Sequence, residues 1–224
     1  MKNTFDLDKF HTLIVFDLET TGLNGRRDRV IEFGAVKQTG QSPEALVETD
    51  FLIRLPEGKS LPAAITRLTG ITDRDLREQG ISEAQAAERI SGLLSEPNTL
   101  LAAYNAQFDL VFLYWLLQRN GCASCLKHVK LLDALTVYRD RRPYPHKLSD
   151  AIVNYHLNGS NSHRSLDDAK ATLELLCRMR EERDDLDRYV NLFGYHPKYG
   201  VSGQRIASVT YRPQGFDATR KLYE

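Results

Sequence analysis

Cysteine is scarce in this chain: three in 224 residues, an odd number too small for a disulfide framework. A reducing, cytoplasmic setting follows as the expectation. Nor does any apolar run approach the ~20 residues of a membrane-spanning helix, so no membrane partner is expected. The N-terminus turns acidic early, at Asp6 and Asp8, unlike a secretory leader. An excess of one charge sign is missing too, with 30 basic and 30 acidic residues. A protein that coats nucleic acid without specificity would be clearly basic. Binding to a polyanion would therefore have to be focused, on a basic path beside an acidic centre. Internal repeats and low-complexity segments are absent.

What is present suits one large domain, or one domain with an appendage. Hydrophobic residues make up 42% and charged residues 27%, ordinary proportions for a globular chain. Strands are expected over 12–19, over Val30-Ile31-Glu32-Phe33-Gly34-Ala35-Val36 and over 46–55, close enough together for an antiparallel meander. A polar, helix-prone region follows. Ser82 with Gln85 three residues later forms a capping box that opens a helix from Glu83 to about Ser95. Leu100 to Ala103 reads as a buried strand, and Asn105 as the cap of an apolar helix with Phe108, Val111, Phe112, Trp115 and Leu116 at helical spacing. Another strand over His128–Leu132 precedes helices near 134–139 and 148–155 and a long amphipathic helix from about Ser165 to Glu182. Antiparallel strands followed by strands alternating with helices give a mixed α/β sheet.

The segment "FDLETTG", Phe16 to Gly22, places Asp17 and Glu19 at the end of a strand that should be buried. Alternation puts both carboxylates on one face. Each then resists ionisation, unless a cation lies between them. Two further motifs carry acids near helix starts, where the dipole and free N–H groups favour negative charge. Asp109 lies in "YNAQFD", and Asp168 in "HRSLDDA" with His163 five residues before it. Together they predict an oxygen-rich cluster of the kind that selects Mg²⁺ or Mn²⁺ over softer metals.

These three motifs, in this order, resemble those of the DEDDh family, the 3′→5′ exonucleases similar to the proofreading subunit of bacterial DNA polymerase III. The resemblance spans roughly residues 12–182. A tyrosine four residues before the last Asp would mark the sister branch, but position 164 is Arg, and the histidine branch fits. The resemblance implies a ribonuclease-H-like mixed five-stranded sheet flanked by helices, with a C-terminal extension. It also implies two divalent cations per site, Mg²⁺ or Mn²⁺. Asp17 would bridge both, Glu19 and Asp168 would complete one site, and Asp109 would reach the second metal through water. His163 would take the proton from the attacking water, a task suited to imidazole with its ordinary pKa of about 6.5. The substrate would be a nucleic-acid 3′ end, released stepwise as nucleoside 5′-monophosphates, single-stranded DNA slightly favoured over RNA. Thr20, Thr21, Gly22 and Leu23 resemble the turn that contacts the terminal 3′-hydroxyl and wedges the last base. Leu68 and Thr69 of "LTGIT" resemble the segment flanking the terminal nucleoside, and Asn105 and Phe108 match pocket-shaping positions.

Residues 1–11 read as a leader, 12–182 as the exonuclease domain and 183–224 as a C-terminal extension. The extension's Tyr195, Lys198, Tyr199, Arg205, Tyr211 and Arg212 can stack bases and touch phosphates, although packing against the domain is the preferred expectation. A protein partner could also dock there. Two other classes therefore stand beside the free-standing nuclease: a partner-docking proofreading subunit, and a catalytically silent binding module. Oligomeric state, monomer or homodimer, is left open. "CASCLKH" offers Cys122, Cys125 and His128, short of the four ligands of a structural zinc site, and reads as reduced cysteines in a helix-to-strand connection. His146 and His156 have no catalytic context.

Overall fold

The computed structural model describes residues 9–40 and 46–224. Of the expected leader 1–11, residues 1–8 lie outside the described residues. The architecture grows from β1 (Thr12–Thr20), whose even positions Ile14, Phe16 and Leu18 face one core while Leu13 and Val15 face another. Neighbouring strands extend it on both sides. β2 (Val30–Thr39) and β3 (Leu46–Leu52) pair antiparallel; β4 (Thr99–Ala103) and β5 (Lys130–Asp133) add on in parallel, giving the order β3-β2-β1-β4-β5. This is the expected mixed five-stranded sheet.

Helices cover both faces. Against the even face pack α3 (Glu83–Leu93) and α4 (Ala106–Arg119). Against the odd face pack α5 (Ala134–Arg141), α6 (Leu148–Asn154) and α7 (Ser165–Glu182). The Ser82–Gln85 capping box forms as expected. The helix-prone stretch resolves into two short helices, α1 (Ala63–Thr69) and α2 (Asp73–Glu78), joined through Gly70 at φ +73°, a conformation that favours glycine. β3 stops at Leu52 rather than 55, and Ile53 continues only as an isolated bridge to Ile81. Cys122 and Cys125 are free thiols at a 3-10 turn (Ala123–Lys127) between α4 and β5.

The C-terminal stretch carries two short strands, β6 (Leu192–Tyr195) and β7 (Thr210–Pro213), paired in parallel. It packs against the sheet domain. Leu186, Tyr189 and Phe193 are at most 1% exposed. Buried Arg141 of α5 donates to Asp185 at 2.5 Å, which also accepts from the Tyr223 hydroxyl at 2.8 Å. Tyr189 donates its hydroxyl to buried Asp140 at 2.5 Å, and the Leu222 N–H donates to the same carboxylate. Deleting a buried aromatic side chain costs about 3–5 kcal/mol, against a total domain stability of about 5–15 kcal/mol. A chain ended at residue 182 should therefore lose cooperative urea unfolding, followed by near-ultraviolet circular dichroism. An unchanged midpoint would show that the stretch contributes nothing to the fold.

Candidate active site

The register of β1 against β2 sets the geometry. Asp17 lies opposite Gly34, and Glu19 opposite Glu32, so all four positions share the face covered by α7. Gly34 is required there. A Cβ at that position would lie 2.1 Å from the Leu166 nitrogen and 2.3 Å from the Ser165 carbonyl carbon. The missing side chain lets the first turn of α7 rest on the strand, which carries Asp168 toward Asp17.

Glu32 holds that turn in place. It is fully buried and accepts from Arg164 Nε at 2.8 Å and Nη2 at 2.5 Å, from the Ser165 N–H at 2.9 Å and from the Ser165 hydroxyl at 3.1 Å. Like charges placed directly across a strand pair repel, and Arg164 is what makes the Glu19–Glu32 pair tolerable. The Glu32 carboxylate also satisfies the otherwise unpaired Ser165 N–H at the start of α7, since Arg164 at the cap position provides no side-chain cap. Asp168 is buried in that turn and accepts from Asn161 Nδ2 at 2.6 Å and from the Ser162 N–H at 3.1 Å. His163, at φ +55°, lies between these anchored neighbours. One ligand atom each of Glu19, His163 and Asp168 falls within 4.8 Å of the others, the one such group of three or more among the described residues.

The fourth acid comes from the other side of β1. Asp109 occupies the fourth position of α4, as Asp168 does in α7, and is buried. Asn105 adopts the left-handed conformation at the cap of α4, φ +64°, but its side chain does not cap the helix, contrary to the sequence expectation. Asp133 at the end of β5 takes that task, accepting from the Ala106 N–H at 3.0 Å while also capping α5 through Leu135 and Thr136. The exposed side chain of Asn105 is thereby free of structural duty.

Burial and mutual repulsion raise the proton affinity of the whole cluster. Asp17 is raised well above the ordinary carboxylate range, by burial first and then by Asp109, Asp168, Glu19 and Glu32. Asp109 is raised by burial foremost, partly offset by backbone hydrogen bonds. Glu19 reaches about 8, through burial, Glu32 and Asp168. Asp168 reaches about 6, chiefly through burial. Clustered oxygen donors short of positive charge fit hard divalent cations.

The other expected residues fall in two groups. Thr20 and Thr21 shape the turn after β1: Thr20 Oγ1 donates to the Gly22 carbonyl at 2.7 Å, and Thr21 Oγ1 accepts from the Arg29 N–H at 3.0 Å. A bulge between Glu19 and Thr20 re-aims this end of the strand. Leu23, 88% exposed, stands at the tip, and Leu68 is exposed at the end of α1. Thr69 is buried, and its hydroxyl donates to the Ile65 carbonyl and accepts from the Ile71 N–H. Phe108 is half-buried against Phe112, ring centroids 4.9 Å apart. Asp167, next to Asp168, is half-buried and accepts from the Ser162 hydroxyl. Glu32, Gly34 and Asp133 escaped the sequence reading. A lone acid within the apolar run of β2 was the one available signal for Glu32.

Residues 14–176 match the model of the Exonuclease family (RNase_T), and the chain belongs to that family. Among curated relatives, the PolC-type DNA polymerase III of Clostridium perfringens is 33% identical over 177 residues, covering 76% of this chain and 12% of that protein. The corresponding protein of Latilactobacillus sakei is 30% identical over 84% of the chain, again 12% of the relative. The chain thus spans about an eighth of the curated relatives it matches. Among solved structures, Escherichia coli exonuclease I in a zinc-bound complex with single-stranded DNA superposes with TM-score 0.71 at 24% identity, over 80% of this chain and 42% of that one. Its complex with SSB-Ct gives 0.70 at 21%, over 80% and 43%. These structures share the fold.

The pH dependence follows from the raised acids. A folded-state pKa above the unfolded value adds stability that is complete below the unfolded pKa, near 4, and lost as pH rises through the folded one, about 8 for Glu19. The melting temperature of the metal-free protein should therefore fall between about pH 4 and pH 8. Added Mn²⁺ should raise it, most strongly at the upper end of that window, as cations compete with protons for the same oxygens. Differential scanning fluorimetry in chelator and in Mn²⁺ checks both; a flat profile in chelator would contradict the electrostatic account.

Proposed function

We propose that this chain is a DEDDh-type 3′→5′ exonuclease that releases nucleoside 5′-monophosphates from nucleic-acid 3′ ends. The observation that carries the reading is the convergence of Glu19, His163 and Asp168 beside the half-buried Asp17 and the buried Asp109. Asp17, Glu19, Asp109 and Asp168 would hold two divalent ions, Mg²⁺ or Mn²⁺. When bound, such ions activate water and stabilise the leaving 3′-oxygen. His163 accepts the proton of the attacking water, oriented by the left-handed turn between Ser162 and Arg164. Glu32, through Arg164 and Ser165, fixes the direction from which His163 and Asp168 approach. Thr20, Thr21 and Gly22 offer their backbone to the terminal nucleotide. Leu23, Leu68, Asn105 and Phe108 are the apolar and amide groups available around its base. Single-stranded DNA is the favoured substrate, supported by the single-stranded DNA named in the complexes of exonuclease I.

A second reading rests on the relatives. They are whole polymerases of which this chain matches 12%, so the same unit can serve as a proofreading subunit docked to a partner.

The deciding experiment incubates the protein with 3′- and 5′-labelled single-stranded DNA and RNA in Mg²⁺, Mn²⁺ or chelator, with Asp17→Ala in parallel. Metal-dependent laddering from the 3′ end, absent in the variant, is expected; no cleavage under any metal would overturn the free-standing nuclease. His163→Ala should lower kcat by about 10²–10⁴-fold, the usual contribution of a general base. Glu32→Gln should lower activity by about 10–100-fold, as loss of a partner behind the ligands does. Activity at wild-type level in Glu32→Gln would show that the first turn of α7 needs no such anchor.

A further inference from the structure

The structure carries a concavity, separate from the acid cluster, where β6 and β7 end. It encloses about 700 Å³ and is lined by residues that include Arg139 of α5, Tyr144, His146 and Lys147 of the loop before α6, Tyr199 after β6 and Phe216 after β7. Three of the largest exposed apolar side chains of the described residues meet here: Tyr144 is 85% exposed, Tyr199 74% and Phe216 43%. Their exposure is organised. His196 and Tyr199 pack with ring planes tilted by 36° and centroids 4.9 Å apart, Lys198 Nζ lies 5.3 Å from the Tyr199 ring, and Tyr144 meets His146 edge-on at 5.8 Å. No carboxylate lines the cavity among the described residues, while Arg139 and Lys147 do. In a chain with as many acids as bases, that is a local excess of positive charge among rings.

The wall of this groove is bonded to the entrance of α4. The Tyr104 hydroxyl donates to the His146 carbonyl at 2.8 Å, and Tyr104 directly precedes Asn105. From the same loop the chain runs through α6 to His163. The groove is therefore joined by covalent and hydrogen-bonded links to two of the three acidic motifs.

We propose that this groove holds the single-stranded stretch of nucleic acid that lies upstream of the 3′ end being cleaved. The proposal rests on the exonuclease reading above. Bases stack on Tyr144, Tyr199 and Phe216, which is tolerant of sequence because every base has a π-face, and phosphates meet Arg139, Lys147 and Lys198. The pairing of three exposed rings with Arg139, Lys147 and Lys198 favours a polyanion over an acidic or apolar protein segment, because it offers faces to nucleobases and cations to the phosphates between them.

The test measures binding of 5′-fluorescein-labelled single-stranded DNA, a 20-mer and a trimer, by anisotropy. It uses the full chain in the Asp17→Ala background with chelator, which removes cleavage. Stacking on one aromatic residue changes affinity by about 5-fold or more. Tyr144→Ala/Tyr199→Ala should therefore weaken the 20-mer at least about 5-fold and leave the trimer unchanged. Tyr144→Trp/Tyr199→Trp should restore it. Both rings are exposed, so neither pair of substitutions threatens the fold. Unchanged affinity for the 20-mer, as expected if the groove instead docks a protein, overturns the proposal. So does an equal loss for both lengths, which would place these residues at the 3′ terminus itself. In the Asp17 wild-type background, hydrolysis of the p-nitrophenyl ester of thymidine 5′-monophosphate with Mn²⁺ reads the catalytic centre alone. It should be the same with and without the groove substitutions. Its absence from the wild-type protein would overturn the exonuclease reading, while the anisotropy series still decides the groove.

Discussion

Four carboxylates, Asp17, Glu19, Asp109 and Asp168, are held close enough that burial and mutual repulsion each raise their affinity for protons. Left to itself, such a cluster would move apart. Most local features of the fold near it oppose that movement. Asp17 and Glu19 cannot separate because a strand in the middle of a sheet fixes their spacing and face. Asp109 and Asp168 are each fixed at the fourth position of a helix, where the dipole partly offsets their charge. The repulsion is retained as a stored capacity for cations. A site that relaxed in their absence would have to be rebuilt on every encounter.

The devices that hold the helices are themselves polar and buried, and that is why they matter. Glu32 satisfies the start of α7 with four hydrogen bonds from Arg164 and Ser165. Asp133 does the same for α4 and α5 together. Removing one partner of such a network leaves the other unpaired in the interior, a cost larger than the value of the bond itself. Gly34 acts by what it lacks, since only an absent Cβ admits the backbone of Leu166. The cluster geometry therefore depends on three residues of β2 and β5 that take no part in the proposed chemistry.

That division explains what was legible in the sequence. Strands and helices were readable because their apolar periodicity is written locally: the even and odd positions of β1 face different cores, and α4 and α7 carry long apolar stripes. Three motifs announced the acids, because each pairs an acid with a strand end or a helix start. The supports were not readable. Asn105 looked like a helix cap by residue type, yet the cap comes from Asp133, 27 residues beyond the Ala106 N–H it accepts from, and that role exists only once β4 and β5 lie side by side. Arg164 marked the histidine branch by excluding tyrosine, but its bond to Glu32 spans 132 residues and leaves no local trace. The C-terminal stretch lacked periodicity because Leu186, Tyr189 and Phe193 enter the core one at a time, from turns and short strands.

A neutral protein with an acidic centre meets a polyanion at a disadvantage, and the arrangement of its charges suggests how that is overcome. Around the acids, the nearby arginine is engaged: Arg164 is bonded to Glu32 through Nε and Nη2. Both donors are turned toward Glu32 rather than toward a phosphate. Attraction at the centre must then come from bound cations, and attraction elsewhere from groups far enough away that the acids are screened, roughly a Debye length of about 10 Å at 0.1 M salt. Stacking is the interaction least affected by the sign of the surrounding field, since it acts through the base rather than the phosphate. On the proposed reading, the rings at Tyr144, Tyr199 and Phe216 supply grip where net charge cannot, and metal loading decides whether the gripped strand is cut.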